Sequence, residues 1–385
     1  PTLYNDSWEL IKIPKGHKEL LEWVTSKHNE HRILFLRISS ILESRLFGII
    51  PGQTSLLQIL LLILGCSGLW LQLCRKLAKS KTIIFGFWII GSILIFHPWQ
   101  LQNLSWEFQV PWFFINFLVF ISCNILLKNP SNTNLINKTI YYTSCVLIPW
   151  VSIYSTGQGI ALSIAFSISS LLKSKKQFWI TSLSSVLVLL LYFLSSNQNQ
   201  AIDSNSIGYE VDIISIPFFL STLLGGPLLL SINSFIFILI VLAIFILIKD
   251  KEVLLEEVKN RIFSLAPFLN FIFLFPVIFS LMLTISRRSL GFQWSFASRY
   301  TTHSIIFSLF LLSLCVIVFD TKWGVKSNQI DILITFQAVL TAFIALVIFA
   351  IPNNLISALT NYLIPSKTPK QSIISKERLI KFKKN

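Results

Sequence analysis

Charge is what this sequence has least of. Only 13% of its 385 residues are Asp, Glu, Lys or Arg, about half the share of a soluble globular domain. A soluble enzyme is excluded on that ground. Apolar and aromatic residues make up 54%, Phe alone occurs 33 times, and the mean hydropathy is +0.70. Apolar runs recur from Thr54 to Ala350, which excludes intrinsic disorder, collagen and a coiled coil. Cysteine is scarce too: Cys66, Cys74, Cys123, Cys145 and Cys315 lie in or at the ends of apolar runs, with no CxxC spacing. Neither a disulfide framework nor a zinc site is indicated. Methionine occurs once, at Met282, and the chain opens Pro-Thr-Leu-Tyr-Asn-Asp, so an upstream segment, a first transmembrane helix or a signal, is expected.

The net charge of +15, from 32 basic and 17 acidic residues, raises the question of nucleic acid. The basic residues sit between the apolar runs, with no aromatic-interleaved stripe, and are read as topology signal and lipid headgroup contact. Nucleic acid is not an expected partner; the lipid bilayer is.

Backbone groups in hydrocarbon must be satisfied within their own segment, so the runs predict helices. The expected spans are 54–73, 82–97, 111–127, 139–155, 159–172, 178–195, 217–248, 262–285, 300–319 and 332–351. The fold class is therefore all-α, a polytopic bundle of about ten spans with one more expected upstream. Gly225-Gly226-Pro227 interrupts the seventh run and predicts a kinked or re-entrant helix. Three regions follow: an outward segment 1–53 with an amphipathic interfacial helix, a helical domain 54–351, and a basic tail 352–385.

Lys and Arg concentrate in 74–81, 128–138, 173–177, 249–261 and 320–331, whereas 98–110, 156–158 and 196–212 contain neither. The basic connections are expected in the cytoplasm and the others outside. The stretch 286–300 breaks this pattern, with Arg287, Arg288 and Arg299 on the outward side.

The span interiors contain no Asp, Glu, Lys or Arg; His303, Asp331 and His97 come closest. That argues against an ion-coupled transporter and moves polar chemistry to the outer interface. Asp6, beside Trp8, is placed to act as a general base or to hold a divalent cation, or else is a solvated acid at a helix start. His28-Asn29-Glu30-His31-Arg32 leads into an amphipathic stretch in which Glu30, Arg37 and Ser44 share a face while Ile38, Ile41 and Leu42 lie elsewhere. His28 and His31 are weak metal candidates, and Glu30 pairing with Arg32 or Arg37 is the structural alternative. Arg287, Arg288 and Arg299 suit a phosphate, pyrophosphate or anionic headgroup, or pair with Asp203, Glu210 or Asp212. Glu107, Gln158 and Tyr300 belong to the same face. Trp99, Trp106, Trp112 and Trp294 read as belt aromatics, although a Trp near such a site stacks well on a sugar ring.

Taken in order, Tyr4-Asn5-Asp6-Ser7-Trp8, HNEHRILFLR (28–37), WEFQVPWFFINF (106–117), YSTGQG (154–159), FFLSTLLGGPL (218–228) and SRYTT (298–302) resemble a group of bacterial polytopic membrane proteins. That group is itself similar to the C-type (GT-C) integral-membrane glycosyltransferases. The resemblance implies a polyprenyl-phosphate sugar donor, an envelope acceptor (glycan, lipid or protein) attacking on the outer face of the bacterial inner membrane, and inversion at the sugar carbon. It further implies Asp6 as base or anchor of a divalent cation such as magnesium or manganese, with Glu30 or Glu107 as a second acid. His31, Arg32, Glu107, Gln158 and Tyr300 would bind substrate, and Arg287, Arg288 and Arg299 the donor phosphate. A lipid-linked glycan flippase, an envelope-glycan polymerase or ligase, and a purely structural subunit are the competing readings.

Overall fold

The computed structural model describes residues 10, 12–28, 31–96, 107–130, 134–194, 252–287 and 301–323. The chain divides into two units, Pro1–Leu340 and Thr341–Asn385, and every described residue belongs to the first. The predicted spans 217–248 and 332–351, and the tail 352–385, lie outside the described residues.

The elements are α1 (His17–Thr25), a two-stranded hairpin β1 (Lys27–His28) and β2 (His31–Arg32), α2 (Leu34–Phe47), α3 (Ser55–Leu77), α4 (Lys81–Ile95), α5 (Val110–Leu127), α6 (Leu135–Ser155), α7 (Gln158–Leu171), α8 (Lys175–Leu194), α9 (Glu252–Ser264), α10 (Ala266–Arg287) and α11 (Thr301–Trp323). A 3-10 turn, Glu107–Gln109, leads into α5. The chain is thus a helical bundle, with one hairpin that the apolar runs did not foretell.

Among the described residues, five helices are long and apolar enough to cross a membrane: α3, α5, α8, and the stretches Ala266–Ile285 of α10 and His303–Thr321 of α11. The 23 residues of α3 rise about 34 Å, against a hydrocarbon core of about 30 Å. The expected spans 82–97 and 159–172 correspond to α4 and α7, which are apolar but shorter, with 15 and 14 residues. The span 139–155 corresponds to α6, whose 21 residues include Lys138 and a run of Tyr, Thr and Ser. A membrane-embedded helical bundle is therefore established, with five such helices among the described residues.

Lipid explains which faces point outward. On α3, Leu56, Leu57, Leu60, Leu61 and Leu64 are exposed while Ile59, Ile63, Cys66, Trp70, Leu73 and Leu77 are buried. On α8 the division is sharper: Trp179, Leu183, Val186, Leu187, Leu190 and Leu194 face out, and Gln177, Thr181, Ser184 and Ser185 face in. An apolar band of this extent calls for a hydrocarbon neighbour. The interior is correspondingly joined by hydroxyls and amides. Ser184 Oγ donates to the Val146 carbonyl (2.8 Å), Ser167 and Ser185 share a hydrogen bond (3.1 Å), and Tyr141 OH donates to Gln177 Oε1 (2.6 Å). Asn270 Nδ2 donates to Ser169 Oγ at 3.1 Å, tying α10 to α7. Bonds of this kind contribute roughly 0.6 kcal/mol each on average in a membrane bundle.

Close approach needs small residues as well. A Cβ at Gly159 would overlap the backbone of Ser152, so only glycine lets α7 turn back against α6. At Gly91 a Cβ would overlap the Trp70 indole, whose Nε1 donates to the Phe87 carbonyl at 3.0 Å. Pro149 lies inside α6 and Pro276 inside α10. All five cysteines are free and buried. At the centre α5 touches α2, α3, α6, α7, α10 and α11.

One end of the bundle is closed by a buried ion pair. Arg261 Nη1 donates to Asp320 Oδ2 (2.9 Å) and Thr321 Oγ1 (2.9 Å), and Nη2 to the Leu77 carbonyl (2.5 Å). Asp320 Oδ1 accepts from the backbone amides of Lys79 (2.9 Å) and Ser80 (3.0 Å), just ahead of α4, where a helix favours negative charge. The C-terminus of α3, the N-terminus of α4, α9 and the C-terminus of α11 therefore meet at one end. Lys76 Nζ, donating to Asn124 Oδ1 (3.2 Å), brings the C-terminus of α5 to the same place. The basic connections thus gather at a single end, called here the basic end.

Two expectations need correcting. The span 300–319 continues as helix to Trp323 and carries Asp320 at 2% exposure, so ionisable groups do enter the helices, held by a partner and by amides. The connection 249–261 is largely the helix α9.

Breaking a buried ion pair leaves the other charge unpaired, which costs about 3–5 kcal/mol. Asp320→Ala is expected to lower the unfolding temperature of the purified protein in detergent strongly. Glu256→Ala, which removes the exposed 3.5 Å pair with Lys259, is expected to change stability by less than about 0.5 kcal/mol. Equal shifts for the two variants, read by thermal unfolding, would remove the ion pair from the account.

Candidate functional site

The opposite end is organised by two arginines. α1, the hairpin and α2 enclose little apolar core, and no residue of α1 is buried. Instead, Arg37 (3% exposed) donates to the Ser26 carbonyl (2.5 Å) and Ser26 Oγ (2.8 Å) and sits 5.2 Å from the Trp23 ring centroid. Arg32, also buried, donates from Nη1 to the Thr25 carbonyl. Its guanidinium carbon lies 5.0 Å from the Tyr154 centroid and 5.3 Å from that of Tyr192, two rings in edge contact at 6.2 Å. A desolvated guanidinium on aromatic faces gains about 2 kcal/mol from the ring quadrupoles. Arg32 thereby fastens β2 to the C-terminal turns of α6 and α8.

Of the face expected from Glu30, Arg37 and Ser44, α2 contains the last two, and Glu30 lies outside the described residues. Leu36, Arg37, Ser40 and Glu43 are buried, whereas Ile38, Leu42, Leu46 and Phe47 are exposed. The polar face packs on protein because it finds hydrogen-bond partners there. Glu43 accepts from the amides of Gly52 (2.8 Å) and Thr54 (3.1 Å), from the Thr54 hydroxyl and from Gln58 Nε2 (3.2 Å). It ties α2 to the turn that starts α3, beyond the left-handed Gly48 (φ 63°) that ends α2. The same helix reaches α5 through Phe35, stacked on Phe114 with centroids 3.7 Å apart.

Gln158 opens α7 at 1% exposure, and neither its Oε1 nor its Nε2 has a hydrogen-bond partner. Its backbone amide is satisfied by Thr156 Oγ1 at 2.9 Å, so the turn Thr156-Gly157-Gln158 is complete without the side chain. Gln109, which precedes α5, is 2% exposed with an unpartnered Oε1. Close by in sequence, Trp112 meets Phe279 of α10 (5.9 Å, edge-on), and Phe279 meets the buried His303 of α11 (4.7 Å, edge-on). Trp112, expected in the interfacial belt, is half-buried in this packing.

Three of the motifs quoted above meet here. HNEHRILFLR touches YSTGQG through Arg32 and Tyr154, and WEFQVPWFFINF through Phe35 and Phe114. His28 and His31 face each other across the hairpin ladder rather than standing one turn apart on a helix. Glu107 opens the 3-10 turn, and Arg287 ends α10 at this same end of the bundle. Asp6, Glu30, Arg288, Arg299 and Tyr300 lie outside the described residues. Of the expected site residues, Arg32 and Gln158 are thus placed with their side chains, both buried. Arg37 was noted only as a face-mate and pairing partner of Glu30, and Gln109 and Glu43 were not singled out beforehand. Their one signal was polarity inside or beside apolar stretches.

No family model, no curated protein and no solved structure matches this chain.

A desolvated carboxamide without partners costs about 1–3 kcal/mol. Gln158→Leu, which removes the amide and keeps most of the volume, is expected to raise unfolding stability by about 1 kcal/mol. Thermal unfolding in detergent checks it, and a fall in stability would show that the amide serves the fold.

Proposed function

We propose that this chain is a membrane glycosyltransferase that moves a sugar from a polyprenyl-phosphate donor to an envelope acceptor on the outer face. What supports this reading is the meeting of three sequence-distant motifs at the end opposite the basic connections, around a buried Arg32 and an unpartnered buried Gln158. That end is the outward one under the positive-inside rule. An unpartnered buried amide is a group held for a ligand at the expense of stability.

In the proposed reaction Asp6 takes the proton of an acceptor hydroxyl, the freed oxygen forms a bond to the anomeric carbon, and the bond from that carbon to the phosphate oxygen breaks. The polyprenyl phosphate departs with the electron pair, its charge met by Arg287, Arg288 and Arg299. Attack opposite the leaving group inverts the carbon. Gln158 and Arg32 serve the substrate's polar groups, with Glu30, Glu107, His31 and Tyr300 completing the same face. Magnesium or manganese assistance belongs to the resemblance. The described residues gather no three His, Cys, Asp or Glu side chains, and the steps proposed use side chains alone.

The test is transfer from radiolabelled polyprenyl-phosphate sugars in proteoliposomes. Wild type is expected to transfer label to an acceptor, and Asp6→Asn to lose about 100-fold or more while retaining the wild-type melting profile. Undiminished transfer by the folded variant would remove Asp6 from the mechanism. Movement of intact donor across the bilayer without covalent change would replace the transferase with a flippase.

A further inference from the structure

The two faces of α2 are inverted relative to a helix that meets water. Arg37 and Glu43 are buried and bonded to protein, whereas Ile38, Leu42, Leu46 and Phe47 are exposed, the last two at 69%. Ile38, Leu42 and Leu46 recur at four-residue spacing and so lie along one stripe. Ile50, just past the Gly48 that ends the helix, is exposed as well. A helix at a water interface carries its charge on the outward face. In α2 the one exposed charged residue is Arg45, whose Nη2 donates to the Pro14 carbonyl at 2.7 Å.

Glu43 fixes where this helix stands. Its carboxylate accepts from the amides of Gly52 and Thr54 and from Gln58 Nε2, in the turn and first residues of α3, so the C-terminal half of α2 is level with the start of α3. The lipid-facing side of α3 begins at that level, with Leu56, Leu57, Leu60, Leu61 and Leu64 exposed. From Ile38 to Leu64 the sequence holds two charged residues, the buried Glu43 and Arg45. The exposed apolar surface of α2 is therefore continuous with that of a membrane-crossing helix, and hydrocarbon is the neighbour that suits both.

We propose that Ile38, Leu42 and Leu46, with Phe47 and Ile50, form a membrane-docking surface that takes the acyl chains of the bilayer, in the leaflet at the end away from the basic connections. An ordinary interfacial helix turns a polar face to the headgroups and gains from anionic lipid. The polar face of α2 is bonded to protein instead, so the helix sits among acyl chains and requires no particular headgroup. The surface is independent of the transferase reading, because none of its residues takes part in the proposed reaction.

The experiment uses the whole chain in phosphatidylcholine vesicles, with a nitroxide on one introduced cysteine. The five native cysteines are buried, and wild type treated with the same reagent supplies the background. Leu42→Cys and Leu46→Cys are compared with Leu61→Cys on the lipid-facing side of α3 and with Lys259→Cys on the exposed side of α9. Paramagnetic resonance reads collision of each label with oxygen, which enters hydrocarbon, and with a neutral nickel chelate, which stays in water. The oxygen-to-nickel ratio at Leu42 and Leu46 is expected to match that at Leu61 and to exceed that at Lys259 by at least about tenfold. Adding phosphatidylglycerol is expected to leave it unchanged. If either label prevents folding, Ile38→Cys and Ile50→Cys carry it instead. A ratio equal to that at Lys259 would place the stripe in water and overturn the proposal. Protection from both reagents would show that protein covers it, and a high ratio found only with phosphatidylglycerol would show a headgroup contact; either result overturns the seat among acyl chains.

Discussion

A peptide or hydroxyl group in hydrocarbon has no water to turn to, and this constraint arranges nearly every feature of the bundle. It makes the spanning segments helical, and it turns Ser163, Ser167, Ser169, Ser170, Thr181, Ser184 and Ser185 inward, where each hydroxyl can bond a neighbouring carbonyl or hydroxyl. Leucine, which in a soluble protein would fill the centre, is displaced to the outside of α3 and α8. The buried face of α2 is the same effect at smaller scale: Arg37 and Glu43 turn inward because that is where their partners are, and Ile38 and Leu42 are left exposed.

The two ends of the bundle solve different problems. At the basic end, charge is absorbed into structure, with Arg261 and Asp320 holding four helix ends through one another. At the other end, Arg32 uses aromatic faces, and the glutamine that starts α7 is left unsatisfied. A chain under selection for stability alone would exchange that glutamine for an apolar residue; under the proposed function its amide is held for the substrate.

Run length and low charge were enough to read a helical membrane protein from the sequence, because hydrocarbon solvation acts on every residue of a span. Span ends were less legible. Asp320 and Arg261 were assigned to connections since an ionisable residue in a run is costly on its own, and only tertiary pairing makes it affordable. Likewise α4 and α7 carry apolar runs as shorter helices of 15 and 14 residues, a difference in length that the runs alone did not show. The hairpin 27–32 escaped notice because two-residue strands leave no periodicity, and the side of α2 that is buried depends on Ser26, Gly52 and Thr54, residues that no helical pattern includes. The motifs at Arg32, Phe35 and Tyr154 were visible as strings of residues; that they touch is a property of the fold.

The Asp320 carboxylate reaches back 241 and 240 residues to the amides of Lys79 and Ser80. On a ribosome adding roughly 5–20 residues per second, the start of α4 is made roughly 10–50 seconds before the side chain that satisfies it. During that interval the membrane-inserted nascent chain carries an open pair of donors and, later, an Arg261 without its anion. The basic end is consequently finished only when α11 is in place, and a truncated chain lacking α11 would present those bare groups to quality-control proteases.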